Sequence, residues 1–297
     1  MSNFYLEKYI SNDSQSIIDF YDQFSDRREL LKWVASIPKS SPVINSVGDE
    51  ESEIAVVIPT PSVNHPLALN CQNKIFTGLK IVFSVDNSVL FNLSRSYNMG
   101  AKSLSKCKNI KWIIFSNVDM VEISTSVKLV EVLGKVNDHI EFCYAKEQGS
   151  HSYNIRIGEY TKFRKIVFSL MGGNKRIRTN LEEKFSIQIN AEDNRNMLTR
   201  GFVSNINSIL NFGDFFIFSV DLLKKYNFQP FDELYLNGME DVDLSFRIFT
   251  DLSRDQITPI DYNIGSLESG IRGRSVQRVF RSIPSISYFN DKMEKIL

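Results

Sequence analysis

The chain has 297 residues, with 35 Lys and Arg against 35 Asp and Glu, and a sequence pI near 6.8. Its 42% hydrophobic and 24% charged residues give an ordinary globular balance, with enough apolar mass for one large domain or two tightly joined halves. The neutral overall charge gives no ground for nucleic acid as a partner, so any anionic partner has to be recognised by local charge.

The opening segment MSNFYLEKYISND has neither the basic n-region nor the apolar h-region of a secretion signal. Nothing in the sequence approaches the roughly 20 apolar residues of a membrane span. Three cysteines, Cys71, Cys107 and Cys143, lie far apart without a C-x-x-C pair. They read as buried thiols in a reducing compartment and argue against a zinc site. The expected location is cytoplasmic, with peripheral contact at the inner face of a membrane left open.

Residues 14–36 place Ile17, Ile18, Tyr21, Phe24, Leu31 and Val34 at roughly helical spacing. The prolines, serines and acids of IPKSSPVINSVGDEESE then predict a linker ending near Glu53. Three apolar runs follow: IAVVIPT, IVFSVDNS and WIIFSNVD. Near-continuous apolar strands are covered on both faces, as in a parallel sheet. NLSRSYNMGAKSLSK and STSVKLVEVLGK have helical length, and the second opens on Ser/Thr caps. The alternation predicts an α/β layer, with ligands at the carboxyl ends of the strands. Thr60, Asp86, Asn117 and Asp119 fall at those ends, where they are also ordinary turn formers.

Between residues 156 and 178 stand Arg156, Lys162, Arg164, Lys165, Lys175, Arg176 and Arg178, against the single acid Glu159. This segment is either a binding surface for an anionic acceptor or a solvated face balanced by the acids at 182, 183, 192 and 193. Further on, GDFFIFSV predicts a strand and DLLKKY a short helix. The last motif, LNGMEDVDLSFRI, sets Glu240, Asp241 and Asp243 at the start of an apolar helix. Acids there favour the helix dipole by about 0.3–1 kcal/mol each, and Asp243 can pair with Arg247 at i+4. The adjacency of Glu240 and Asp241 is less well explained by capping, because neighbouring like charges repel; a catalytic base tolerates that repulsion.

Phosphate-binding fingerprints are absent: there is no G-x-G-x-x-G after the first strand and no G-x-x-x-x-G-K-[ST]. The three histidines show no metal spacing, and no G-x-S-x-G marks a hydrolase. Acids at strand ends remain. A hard cation needs only one or two carboxylates when substrate phosphates complete its shell, and it neutralises a departing diphosphate.

The ordered segments AVVIPT, IVFSVDNS, LSRSYNMGAKSL, FSNVDM and FDELYLNGMEDVDLSFRI resemble GT-A glycosyltransferases. They are most similar to the family-2 group that includes rhamnosyl- and galactosyltransferases, over about residues 54–250. The resemblance implies a GT-A fold: a mainly parallel, Rossmann-like sheet flanked by helices, here with an N-terminal helical extension. It divides the chain into an extension and linker at 1–52, a nucleotide-sugar half at 53–150, and an acceptor half at 151–297.

By the same resemblance, Pro59, Thr60 and Asp86 line the nucleotide pocket, and Asn98 matches the family's Asn in the helix after the second strand. Asn117 and Asp119 stand for the D-x-D pair that holds Mn²⁺ or Mg²⁺ and the diphosphate. Asp241 is the general base, supported by Glu240. Three departures accompany this: Asn117 replaces an acid, Tyr97 stands where many relatives have Arg, and no histidine lies beyond His151. Glu268 can then offer the metal a substitute oxygen, and Arg272 and Arg274 either neutralise the diphosphate directly or belong to an ordinary surface loop.

The implied activity is inverting transfer of a sugar from a nucleoside-diphosphate donor to a saccharide or lipid-linked hydroxyl acceptor, in surface polysaccharide or glycolipid synthesis. The alternatives are a degenerate sugar-binding scaffold and a sugar nucleotidyltransferase; PTPSVNHPLA lacks the Gly- and Arg-rich loop that the second needs.

Overall fold

The computed structural model describes residues 3–122, 124–148, 153–156, 190–193, 208–210, 215–267, 276–293 and 295. Three helices come first: α1 (Asn3–Ile10), α2 (Ser14–Tyr21) and α3 (Arg27–Ser36). The carboxylates of Asp13 and Asp26 cap α2 and α3 by accepting the amides of Ser16 and Glu29. Strand β1 (Val43–Gly48) follows, lying inside the segment expected to be a linker. It is an edge strand with an alternating half-buried pattern, which the surrounding prolines and acids obscure in the sequence.

The apolar runs become β2 (Ile54–Thr60), β3 (Lys80–Val85) and β4 (Trp112–Ser116), buried almost throughout. Short α4 (Pro66–Asn70) and a π-turn at Cys71–Ile75 connect β2 to β3, and α5 (Leu93–Ser103) connects β3 to β4. Gly100 lets α5 sit directly on β2, since a Cβ there would lie 2.3 Å from Val57 Cγ1. Strand β5 (Met120–Glu122), α6 (Ser126–Leu133) and β6 (Phe142–Gln148) come next. Strands β7 (Tyr153–Arg156), β8 (Asn190–Asp193) and β9 (Ser208–Leu210) form a separate three-stranded sheet in the order β8-β7-β9. The described chain ends with β10 (Phe215–Ser219), α7 (Val220–Lys225), α8 (Glu240–Asp251), β11 (Ile257–Ser266) and α9 (Val276–Met293).

The protein is a mixed α/β structure on an eight-stranded sheet of order β1-β3-β2-β4-β10-β6-β11-β5. The expected sheet was mainly parallel; the observed one is mixed. Three neighbouring pairs are parallel and four antiparallel. The parallel block β3-β2-β4 agrees with the crossover pattern, but β10 inserts antiparallel between β4 and β6, and both edge strands run against their neighbours. Apolar periodicity reports burial and is blind to strand direction.

One face of the sheet packs on α4, the π-turn and α6, through residues such as Val56, Phe76 and Leu129. The other packs on α5, α7 and α8, through Val57, Tyr97, Leu222 and Leu244. A third cluster joins the N-terminal helices to α8 and α9, with Phe20, Trp33, Val242, Phe246 and Phe289 at its heart. Helix α8 is therefore apolar on two sides, one toward the sheet and one toward this cluster. The N-terminal helices are part of the packing around α8 rather than an appendage.

Pro284 lies inside α9 and has no N–H to give to the carbonyl four residues before it, Phe280. The buried Tyr21 hydroxyl donates to that carbonyl, and Tyr9 donates to the next one, Arg281, at 2.6 Å. Arg281 in turn donates to the carbonyls of Ile10, the last residue of α1, and Ser11 just past it, at 2.7 and 2.9 Å. Burial, then the neighbouring Tyr9, holds the Tyr21 hydroxyl protonated far into the alkaline range, so it remains a donor.

Tyr21→Phe leaves the Phe280 carbonyl buried and unpaired, and is expected to lower stability by about 1–3 kcal/mol in chemical denaturation. In a Pro284→Ala background, where residue 284 regains its N–H, the same change is expected to cost clearly less. An equal cost in both backgrounds would show that the tyrosine does not replace the missing helix bond.

Candidate functional site

The carboxyl ends of the parallel block converge on one edge of the sheet. β2 pairs with β4 over Ile54–Val57 but with β3 as far as Thr60, so its last residues run beyond the two-sided region. Pro59, which cannot donate to a ladder, sits in that extension opposite Ser84. The Thr60 hydroxyl is buried and donates to the Ser62 carbonyl at 2.9 Å. Asp86, just past β3, donates its amide to the Thr60 carbonyl at 3.0 Å. Its buried carboxylate accepts the Ser88 amide at 2.9 Å and the Ser40 hydroxyl at 2.6 Å. Ser40 brings the segment between α3 and β1 against this strand end.

The turn after β4 is held atom by atom. The Tyr97 hydroxyl donates to Asn117 Oδ1 at 2.8 Å, and the Leu267 amide donates to the Asp119 carbonyl at 2.9 Å. Between them the Cys71 thiol donates to the Val118 carbonyl at 3.3 Å. Burial first, then the charge of Asp119, pushes that thiol up to about 12, so it stays protonated and serves as a donor instead of a nucleophile.

Helix α5 carries this turn to the acidic motif. Tyr97 stacks on Phe231 with ring centroids 4.8 Å apart. The neighbouring Asn98 is buried, and its amide is consumed by the loop: it accepts the Phe231 amide at 3.1 Å and donates to the Phe231 carbonyl at 2.8 Å and to Glu233 at 3.1 Å. Asn98 therefore shapes the site through the loop that leads to α8. Asn92, the α5 cap, adds bonds to the carbonyls of Glu233 and Tyr235 at 2.9 and 3.2 Å.

Two acids of that loop, Asp232 and Glu233, were not assigned roles from the sequence, although FDE stands only two residues before the motif LNGMEDVDLSFRI. Glu233 joins Lys39 at 3.0 Å and Arg95 at 2.9 Å. Asp232 accepts from Tyr288 at 2.8 Å and Lys292 at 3.2 Å on α9. Burial pulls both acids upward. For Asp232 the Leu234 amide, Lys292 and Tyr288 outweigh it; for Glu233 the amide of Asn98 with Lys39 and Arg95 does so. Both settle below the usual carboxylate values.

The approach to α8 is unusual. Leu236 and Asn237 donate their amides to the Ser285 hydroxyl, each at 3.1 Å. Gly238 and Met239 then both adopt left-handed backbone, with φ of 97° and 72°. A non-glycine residue there is strained, and such residues gather at functional sites. The turn delivers Glu240, which is buried, and Asp241, which is half-buried, as the first two residues of the helix. Asp243, fully buried, is neutralised by Arg247 at 3.0 Å, as its spacing predicts, and by Lys292 at 2.6 Å.

Glu268, Arg272 and Arg274 lie outside the described residues, as does the basic segment beyond Arg156. Leu267, bonded to Asp119, fixes only where the segment containing Glu268 begins. Among the described residues no cluster of three or more His, Cys, Asp or Glu side chains is disposed to hold a metal. Asp119 is the single carboxylate of the turn after β4, so a cation held there would need its other oxygens from a bound ligand or water, as Mg²⁺ commonly takes them. Among those residues also, no helix is long and apolar enough to cross a membrane. Comparison with models of known protein families gives no match, and comparison with curated proteins gives none either.

The depressed Glu233 makes stability pH-dependent. Its contribution is fully present above the ordinary glutamate value of 4.5 and is lost as pH falls through the lower folded-state value. Glu233→Gln is expected to be less stable than wild type at pH 7 and to lose less stability between pH 5 and 3 in acid titration followed by circular dichroism. Parallel acid profiles for the two proteins would remove Glu233 from this role.

Proposed function

We propose that the chain is a glycosyltransferase of GT-A type, which moves a sugar from a nucleoside-diphosphate donor to a hydroxyl acceptor with inversion. The observation that carries this reading is the pair of adjacent α5 residues: Tyr97 contacts the strand-end turn at Asn117, and Asn98 grips the loop that leads to Glu240 and Asp241. A donor site at the carboxyl ends of β2, β3 and β4 and an acceptor base on α8 are thereby joined by one rigid element, as a two-substrate transfer requires.

In this reading Pro59, Thr60 and Asp86 border the nucleoside, and Asn117 and Asp119 meet the diphosphate. Bound Mn²⁺ or Mg²⁺ supplies neutralisation of the charge that develops on the leaving diphosphate. Asp241 takes the acceptor's proton as the acceptor oxygen bonds to the anomeric carbon. The bond from that carbon to the diphosphate oxygen breaks, and its electron pair leaves with the nucleoside diphosphate. The half-exposed position of Asp241 beside the buried Glu240 favours Asp241 as the base. Successive helical residues point roughly 100° apart, so the two carboxylates cannot address one oxygen equally. Asp243 is excluded as a base by its two cations. The acceptor is a saccharide or a lipid-linked one, in surface polysaccharide or glycolipid synthesis at the cytoplasmic side of a membrane.

A thermal-shift panel of nucleotide sugars with and without Mn²⁺ is expected to single out one donor, since a ligand that binds only the folded state raises its stability. With that donor, Asp119→Ala abolishes the metal-dependent shift while the fold survives. Asp241→Asn cuts kcat by about 10²- to 10⁴-fold with little change in donor binding. Near-normal turnover by Asp241→Asn, or a panel in which no nucleotide sugar shifts the protein, would overturn the proposal.

A further inference from the structure

We propose that Asn117 meets the donor's diphosphate as a hydrogen-bond donor, through its two Nδ2 protons, and that Tyr97 is the positioning residue that fixes it in this role. The inference rests on the glycosyltransferase reading and deepens it. A side-chain amide offers one oxygen acceptor and two N–H donors. The Tyr97 hydroxyl donates to Asn117 Oδ1 at 2.8 Å, so the oxygen is turned toward α5 and the nitrogen away from it.

Tyr97 has little freedom to release that oxygen. Its ring is 2% exposed, stacks on Phe231 at 4.8 Å and meets Phe115 edge-on at 5.4 Å. The adjacent Asn98 grips the main chain of the same Phe231 at both its amide and its carbonyl. Asn117 itself is half-buried at the carboxyl end of β4, and among the described residues its Nδ2 makes no hydrogen bond.

A pair of N–H groups at that position suits an oxyanion and repels a cation. Asp119, two residues on, is then the only carboxylate in the turn that can offer an oxygen to Mn²⁺ or Mg²⁺. The turn divides the work: a neutral hand at Asn117 holds the phosphates directly, and an acid at Asp119 holds them through a cation. Part of the affinity for a nucleoside diphosphate is consequently independent of divalent metal.

Calorimetric titration of the full chain with ADP, GDP, UDP, CDP and dTDP, each in EDTA and in Mn²⁺, tests this. The wild type is expected to bind one of them measurably in EDTA. Asn117→Asp keeps the oxygen facing Tyr97 and replaces the outward N–H pair by a second, negatively charged oxygen. It is expected to weaken binding in EDTA by about tenfold or more, the usual worth of a hydrogen bond to a charged group, while Mn²⁺ restores most of the loss. Tyr97→Phe keeps the ring contacts. It is expected to weaken binding in EDTA about three- to tenfold with an unchanged melting temperature, and to add nothing in an Asn117→Ala background, because the two residues act as one unit.

Unchanged or tighter binding in EDTA by Asn117→Asp overturns the inference, as does a full Tyr97→Phe effect in the Asn117→Ala background. Binding by the wild type only with Mn²⁺, abolished by Asp119→Ala, leaves the glycosyltransferase reading standing and overturns this inference alone. Binding of no diphosphate in either condition overturns both.

Discussion

The grip of Asn98 on the main chain of Phe231 is the constraint on which the rest of the arrangement depends. A buried amide that both accepts from and donates to a single residue's backbone fixes that residue in position and orientation. Because Asn98 sits on α5, and α5 lies flat on β2 at Gly100, the loop at 231–239 inherits its position from the centre of the sheet. The sheet edge, the turn after β4 and the start of α8 thus belong to one frame. Replacing this bond by an apolar contact would keep the volume but lose the direction, since packing alone tolerates sliding that paired hydrogen bonds do not.

Charge is sorted within that frame. Of the acids between 232 and 243, Asp232, Glu233 and Asp243 are each matched by two or more cationic or hydroxyl partners drawn from α3–β1, α5, α8 or α9. They hold elements together at neutral pH, and the lowered carboxyls of Asp232 and Glu233 make that hold sensitive to acid. Glu240 and Asp241, delivered by a left-handed turn at the start of α8, are the acids to which the proposed reaction assigns its chemistry. The dense negative charge in the motif therefore has two origins, one structural and one in the proposed reaction.

Much of this was legible in the sequence. β2, β3 and β4 were legible because buried strands are written as continuous apolar runs, and α5, α6 and α8 because their lengths and caps are local. The pairing of Asp243 with Arg247 followed from spacing alone. Strand direction did not follow, because the antiparallel insertion of β10 depends on how the chain returns after β9, and periodicity carries no record of that. β1 hid among prolines and acids that mark a linker. The roles of Asp232, Glu233 and Tyr97 depend on partners far along the chain: Glu233 is separated from Arg95 by 138 residues, and Asp232 from Lys292 by 60. No local pattern announces such pairs. Asn98 was marked only by resemblance, and its bonds to Phe231 and Glu233, more than 130 residues along the chain, are again partners that no local pattern announces.

The tyrosines that answer the proline in α9 have a consequence in time. Tyr21 and the Phe280 carbonyl it serves are 259 residues apart. At ~5–20 residues per second, roughly 13 to 50 s of synthesis separate the two. Throughout that interval α1–α3 carry the aromatic faces of Phe20 and Trp33 without the helix that closes over them. Helices α1–α3 are thus made well before the helix that covers them, and in a nascent chain their aromatic faces are open to chaperones or to a second chain in that interval. The sheet can assemble meanwhile, since β2, β3 and β4 are made within a short span of each other.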